Sequence, residues 1–249
     1  MLDPLSSFKI HVLIPIKVFG FDISVTNSSL FMIIATLLIC VLLFVGTWNA
    51  YEPIPNKIHV CVEAFFSFVG SIVKSNINRK NLEIFPYMLV LFLFLVFGNV
   101  LGLFPFAFSF TTQIIVTMGM AMIVFLISVI IGFVNQGKQY FKHFCPDGIP
   151  LYIAPFFVVI ETMSFLFRPL SLGLRLFANM VSGHIMIKVI ASFAASIAGV
   201  TVVSYLSVIP IALNVFLNLF KLLVCVLQAY VFVVLSCIYI SESLEHQNP

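Results

Sequence analysis

From Leu151 to Ile240 the chain is almost continuously apolar. About 20 apolar residues suffice to cross a bilayer as a helix, so this run is long enough for two very long membrane helices. Lipid offers no water to unpaired backbone groups, and a helix satisfies them internally. Gly199 and its small neighbours allow a turn between the two, with a break near Thr201 to Ser207. Pro169 lies inside the first helix, which it should bend or strain.

Within that run the segment ETMSFLFRPLSLGLRLFANMVSGHIMIK, Glu161 to Lys188, carries Glu161, Arg168, Arg175, His184 and Lys188. A charge at the bilayer centre costs roughly 2.5–3.5 kcal/mol on insertion scales, so such residues are rare and usually functional. Glu161, Ser164, Arg168, Ser171, Arg175, Asn179 and Ser182 step by three, four, three, four, four and three. On a helix that spacing draws one polar stripe, which must face protein or water. Asn214, Asn218, Lys221, Cys225 and Gln228 step by four, three, four and three and form a second stripe. The two seams can pack together or against a third partner, a geometry suited to an ion path at a protein–protein boundary.

Only 8% of the 249 residues are charged and 62% are hydrophobic, whereas soluble domains carry about 25% charged residues. The expected class is an all-α integral membrane protein of about five transmembrane helices. The net charge of +3 is dispersed, which argues against nucleic acid. Cys40, Cys61, Cys145, Cys225 and Cys237 show no C-x-x-C pairing; they read as small hydrophobes, without a disulfide framework or metal site. No basic n-region precedes the first apolar run, so no cleaved signal peptide is expected.

Residues 1–28 are apolar patches broken by Pro4, Pro15 and Gly20, an ordered arm that does not span. Asn27, Ser28 and Ser29 match a glycosylation sequon and read better as helix N-cap residues. Spans are expected over 29–48, 85–106 and 113–134. Between the first two, Ile58, Val62, Phe65, Val69 and Ile72 share a face opposite His59, Glu63, Ser67 and Lys74. That pattern predicts an amphipathic helix over 53–74 lying in the membrane interface. Gly98 and Gly102 give a G-x-x-x-G spacing that permits close helix packing. Residues 151–240 form the long helical hairpin, and the tail SESLEHQNP is expected to fray. Glu161 is then the only acid in the last two helices.

Gly132 to Gln139 imitates a phosphate-binding loop, but Gln139 replaces the required Ser or Thr and a membrane helix precedes it. No nucleotide and no cofactor is expected. Lys57, Lys74, Arg79, Lys80, Lys138 and Lys142 fall on one side of this topology, and only Lys9 and Lys17 on the other. The positive-inside rule then puts the N-terminus outside and the C-terminus inside.

The run RPLSLGLRLFANMVSGH (Arg168 to His184), with QAYVF (Gln228 to Phe232), resembles the a-subunit of the F-type ATP synthase membrane sector. TNSSLFM (Thr26 to Met32) and GNVLGLFPF (Gly98 to Phe106) extend the likeness along essentially the whole chain. His184 and QAYVF lean towards mitochondrial and alphaproteobacterial members, hence a bacterial or mitochondrial inner membrane. The resemblance implies a stator that clasps a rotating ring of c-subunits, each with a mid-membrane carboxylate. It implies further partners in the b-subunit peripheral stalk, the other ATP synthase subunits and the lipid bilayer. The chain itself would be an ion-conducting subunit without a catalytic site.

By that carry-over Arg175 is the family's essential arginine, with Asn179, His184 and Gln228 its polar neighbours. An opposite charge favours the ionised carboxylate, so a ring carboxylate reaching Arg175 should release its proton. Arg175 stays charged and so blocks protons from crossing directly between two aqueous half-channels. His184 is a candidate relay, and Glu161 is a candidate for the opposite half-channel. Arg168, Ser171 and Ser182 have a structural reading beside a functional one, Arg168 as a helix anchor two turns from Glu161. Asn214 and Asn218 read either as path residues or as interhelical hydrogen-bond glue.

Lys221 departs from the family, which has an acid or a histidine there. It reads as a tuned relay, as a side chain snorkelling away while water and the asparagines carry protons, or as a mark of an impaired channel. The competing classes are a non-rotary transporter or channel and a membrane hydrolase. A transporter predicts repeated halves, yet intramembrane charge is confined to the second half. A hydrolase needs paired acids or a nucleophile–base set.

Overall fold

The structure is a computed structural model describing residues 12–15, 17–18, 21–22, 24–48, 57–77, 83–104, 107–137, 152, 154–198 and 207–245. Several expectations lie outside these residues: the Pro53–Pro55 linker, Arg79, Lys80, the loop 138–150 with Cys145, and the turn at Gly199. The arm contains two short antiparallel ladders: β1 (Val12–Ile14) pairs with β4 (Val25–Thr26), and β2 (Lys17–Val18) with β3 (Phe21–Asp22). Among the described residues six α-helices follow: α1 Asn27–Trp48, α2 Lys57–Asn76, α3 Phe85–Leu101, α4 Ile114–Gln136, α5 Ala154–Ala198 and α6 Val208–Glu245.

Thr26 and Ser29 cap α1 reciprocally. The Ser29 amide donates to Thr26 Oγ1 at 3.3 Å, and the Thr26 amide donates to Ser29 Oγ at 2.9 Å. Each hydroxyl thereby satisfies an amide at the helix entrance, as in a capping box. The cap falls at the edge of the expected Asn27–Ser29 signature.

Among the described residues five helices are long and apolar enough to cross a membrane, and α2 is among them by length and composition. The shorter apolar α3 has 17 residues, the lower limit for a span. Burial on α2 is one-sided: Val62, Val69, Ile72 and Val73 are buried, while Glu63, Ser67 and Lys74 are exposed. His59 departs from the expected polar face, because its Nδ1 reaches the Gly46 carbonyl of α1 at 2.7 Å. Close approach makes this possible: a Cβ at Gly46 would stand 2.5 Å from Val62 Cγ2.

The apolar core gathers on α3 (Met88, Leu93, Leu95), with Val69 and Val73 of α2 and Phe232 and Val233 of α6. The G-x-x-x-G pair has a more local use than helix-on-helix packing. Gly98 lies under the Phe110 ring and Gly102 against Ser109, where a Cβ would meet Oγ at 2.6 Å. The two glycines thus seat the returning segment before α4.

Three contacts set the hairpin register. Arg168 meets Glu242, Met180 meets Cys225, and Gly183 meets Lys221, so α5 and α6 run antiparallel. Contacts of Met118 with Gly173 and of Phe125 with Phe165 show that α4 also runs antiparallel to α5. The uninterrupted α5 carries the buried Pro169 within it. The C-terminal tail does not fray at once: α6 continues through Glu245, with Ser241 and Ser243 buried. Glu161 is therefore not the only acid in the hairpin, because Glu242 and Glu245 belong to α6. The phosphate-loop imitation is helical through Gln136 and so cannot present its backbone amides as a cradle.

Candidate functional site: an outward arginine beside a sealed polar seam

The two stripes meet different fates. That of α6 turns inward: Lys221, Cys225 and Gln228 are buried, and Asn214 and Asn218 are half-buried. That of α5 divides: Ser164, Ser171, Arg175 and Ser182 are exposed, whereas Glu161, Arg168, Asn179 and His184 are half-buried. The two seams therefore do not simply close on each other. In an apolar 18-residue stretch of α5 only 6% of the residues are buried, against 44% in such a stretch of α6. Leu172, Leu176 and Met180 hold α5 to the bundle, and Arg175, about a quarter-turn round the helix from them, is exposed at the flank of that face.

No acid among the described residues is ion-paired with Arg175. Its neighbourhood includes Tyr239, on which Arg168, Arg175 and Glu242 all act electrostatically. The Ser171 hydroxyl is tied back to the Arg168 carbonyl at 3.0 Å, and that of Ser182 to the Asn179 carbonyl at 3.2 Å. These serines shield the helix's own carbonyls and leave the guanidinium of Arg175 as the strong donor on this face.

Arg168 is anchored, though not by Glu161. It pairs with Glu242 of α6, and its guanidinium lies 5.8 Å from the Phe165 ring centre and 5.6 Å from that of Tyr239. Sequence reasoning missed all three partners. The α6 spacing held the signal, since steps of seven from Lys221 through Gln228 and Leu235 arrive at Glu242. The expectation of a frayed tail concealed it.

Lys221 does not snorkel. It is 7% exposed, its Nζ has no hydrogen-bond partner, and its stem lies along Gly183, where a Cβ would stand 3.0 Å from Cε. His184 is the next residue of α5 and lies within electrostatic range of Lys221 and Lys188. By the hairpin register Gln228 falls level with the turn of α5 that carries Arg175. Asn218 and Asn214 continue beyond His184. Asn218 Nδ2 donates to the Asn214 carbonyl at 3.0 Å and approaches Asn214 Oδ1 at 3.3 Å, so these bonds run along α6 and do not glue it to another helix. A further buried amide, Asn99 of α3, has neither polar atom bonded to protein.

A bundle of apolar helices with an exposed arginine that pairs with no acid among the described residues, beside a buried polar seam, has the make-up of a membrane ion-conducting subunit. The comparisons give this class its family. Residues 29–241 match the ATP synthase A chain family, and the chain belongs to it. A protein called ATP synthase subunit a from Gluconobacter oxydans (strain 621H) is 41% identical over 246 residues, covering 98% of each chain.

Proposed function

We propose that this chain is the proton-translocating stator subunit of an F-type ATP synthase and works against a ring of c-subunits. The observation that carries the reading is Arg175, exposed on a largely apolar helix and ion-paired with no acid among the described residues. An arginine facing hydrocarbon is costly, so this face is built for an apposed protein group of opposite charge. A rotor carboxylate supplies that group.

In this mechanism the carboxylate arrives protonated and loses its proton as it meets Arg175, because the fixed cation favours the charged form. The guanidinium keeps its own proton and repels any other, so protons do not pass it directly. Buried Lys221 and Gln228 and half-buried His184, continued by Asn214 and Asn218, line the half-channel between α5 and α6. Asn179 lies one turn from Arg175 on the same stripe and orients water or the arriving carboxylate. Glu161, about 21 Å back along α5 at 1.5 Å per residue, belongs to the half-channel on the other side. Ser171 and Ser182 are helix-capped hydroxyls outside this relay. The N-terminus is outside and the C-terminus inside, and α2 lies in the interface with Glu63 and Lys74 towards water. The b-subunit stalk binds the outer surface of the bundle.

ATP-driven proton uptake by vesicles holding the assembled complex tests this reading. Arg175→Ala abolishes coupled uptake while the ring and stator still co-purify. Uptake at the wild-type rate in that variant overturns it.

A further inference from the structure

Two arginines stand seven residues apart on the stripe of α5, and the structure treats them differently. Arg175 is exposed and ion-paired with no acid among the described residues, whereas Arg168 is paired with Glu242 and flanked by the rings of Phe165 and Tyr239. We propose that Glu242 is a positioning residue that cancels the charge of Arg168, so that a rotor carboxylate meets a single arginine. This rests on the reading of Arg175 as the rotor-facing separator.

Seven residues are two turns, about 10 Å along the axis. An uncompensated Arg168 would present a second permanent cation on nearly the same face. A carboxylate drawn to both would stay ionised beyond the point where it must regain a proton to enter lipid. Glu242 removes that second trap, and the two aromatic rings limit the directions in which Arg168 can swing.

The acid is itself held in place. The hydroxyls of Ser128 on α4 and Ser243 on α6 both reach the Tyr239 carbonyl, at 2.8 and 3.0 Å, and fix the turn that carries Glu242. Phe125 of α4 stacks on Phe165 at 4.8 Å between ring centres and fixes the other side. A purely stabilising clasp is the competing role. The side chains are 22% and 40% exposed, and pairs with such access to solvent usually contribute little to stability. Cancelling charge needs no large stabilisation.

The experiment compares ATP-driven proton uptake in vesicles for Glu242→Gln, Glu242→Asp, Arg168→Gln and the double variant Arg168→Gln/Glu242→Gln. Glu242→Gln should slow uptake roughly tenfold with the complex assembled. Glu242→Asp and Arg168→Gln should stay near wild type, and the double variant should recover. A clasp gives a different pattern: Arg168→Gln is as slow as Glu242→Gln, and the double variant is no better. That pattern, or a wild-type rate in Glu242→Gln, overturns the proposal. If Glu242→Gln alone blocks assembly, recovery is read as assembled complex, and a double variant that also fails to assemble overturns it. Arg175→Ala is measured alongside: active uptake there sinks the separator reading itself, whatever the other variants do.

Discussion

Arg175 and Lys221 are both cations in one membrane hairpin, yet their surroundings are opposite. Arg175 points out of the bundle towards whatever lies beside α5. Lys221 is sealed between α5 and α6, with its Nζ unbonded and its stem on the bare backbone of Gly183. A buried polar group without a hydrogen bond is destabilising, so retaining a lysine here serves something other than stability. Its place beside His184 fits exchange of protons with the path. Lys221→Gln should therefore lower ATP-driven proton uptake several-fold in vesicles, with assembly unchanged. Unchanged uptake would take Lys221 out of the path and leave His184 and the asparagines to carry it. The sequence flagged both cations by their position on stripes. It did not separate outward from inward, because a stripe says which residues share a face and not what that face meets.

At the scale of elements, spacing located the helices well and missed two of their contacts. The G-x-x-x-G pair of α3 was legible as a close-packing signal, but not its partner, the segment with Ser109 and Phe110. Any Cβ at residue 98 overlaps the Phe110 ring, and overpacking of this kind typically costs about 1–3 kcal/mol. Gly98→Ala should lower the thermal unfolding midpoint of the detergent-solubilised protein, whereas Gly119→Ala, which has open space around it, should not. Equal midpoints for the two would remove the packing argument. The end of α6 shows the converse failure. SESLE is polar by composition, yet Ser128 of α4 and Arg168 of α5 give Ser243 and Glu242 partners, and the helix continues. Composition alone does not reveal such partners, because they come from distant parts of the chain.

The whole molecule is lopsided. α6 is packed by α3, α4 and α5, while α5 leaves much of its surface open, including Leu166, Phe167, Leu174 and Arg175. If that face receives the rotor, a cysteine at Ala178 should form an oxidative cross-link with a cysteine beside the ring carboxylate. A cysteine at Leu37, on the exposed side of α1, should give none. Cross-linking at both positions, or only at Leu37, would place the ring elsewhere. The sequence by itself determined that this chain is a helical membrane protein, that its two polar stripes lie in the last two long apolar stretches, and which residues share each polar face. Those properties follow from hydropathy and helical periodicity, which are local. The tertiary structure alone decided that Glu242 pairs with Arg168, that Lys221 is buried, and that Arg175 faces outward. Each of these depends on how two antiparallel helices are rotated about their axes. Periodicity fixes the angles between residues on one helix and leaves that rotation to packing.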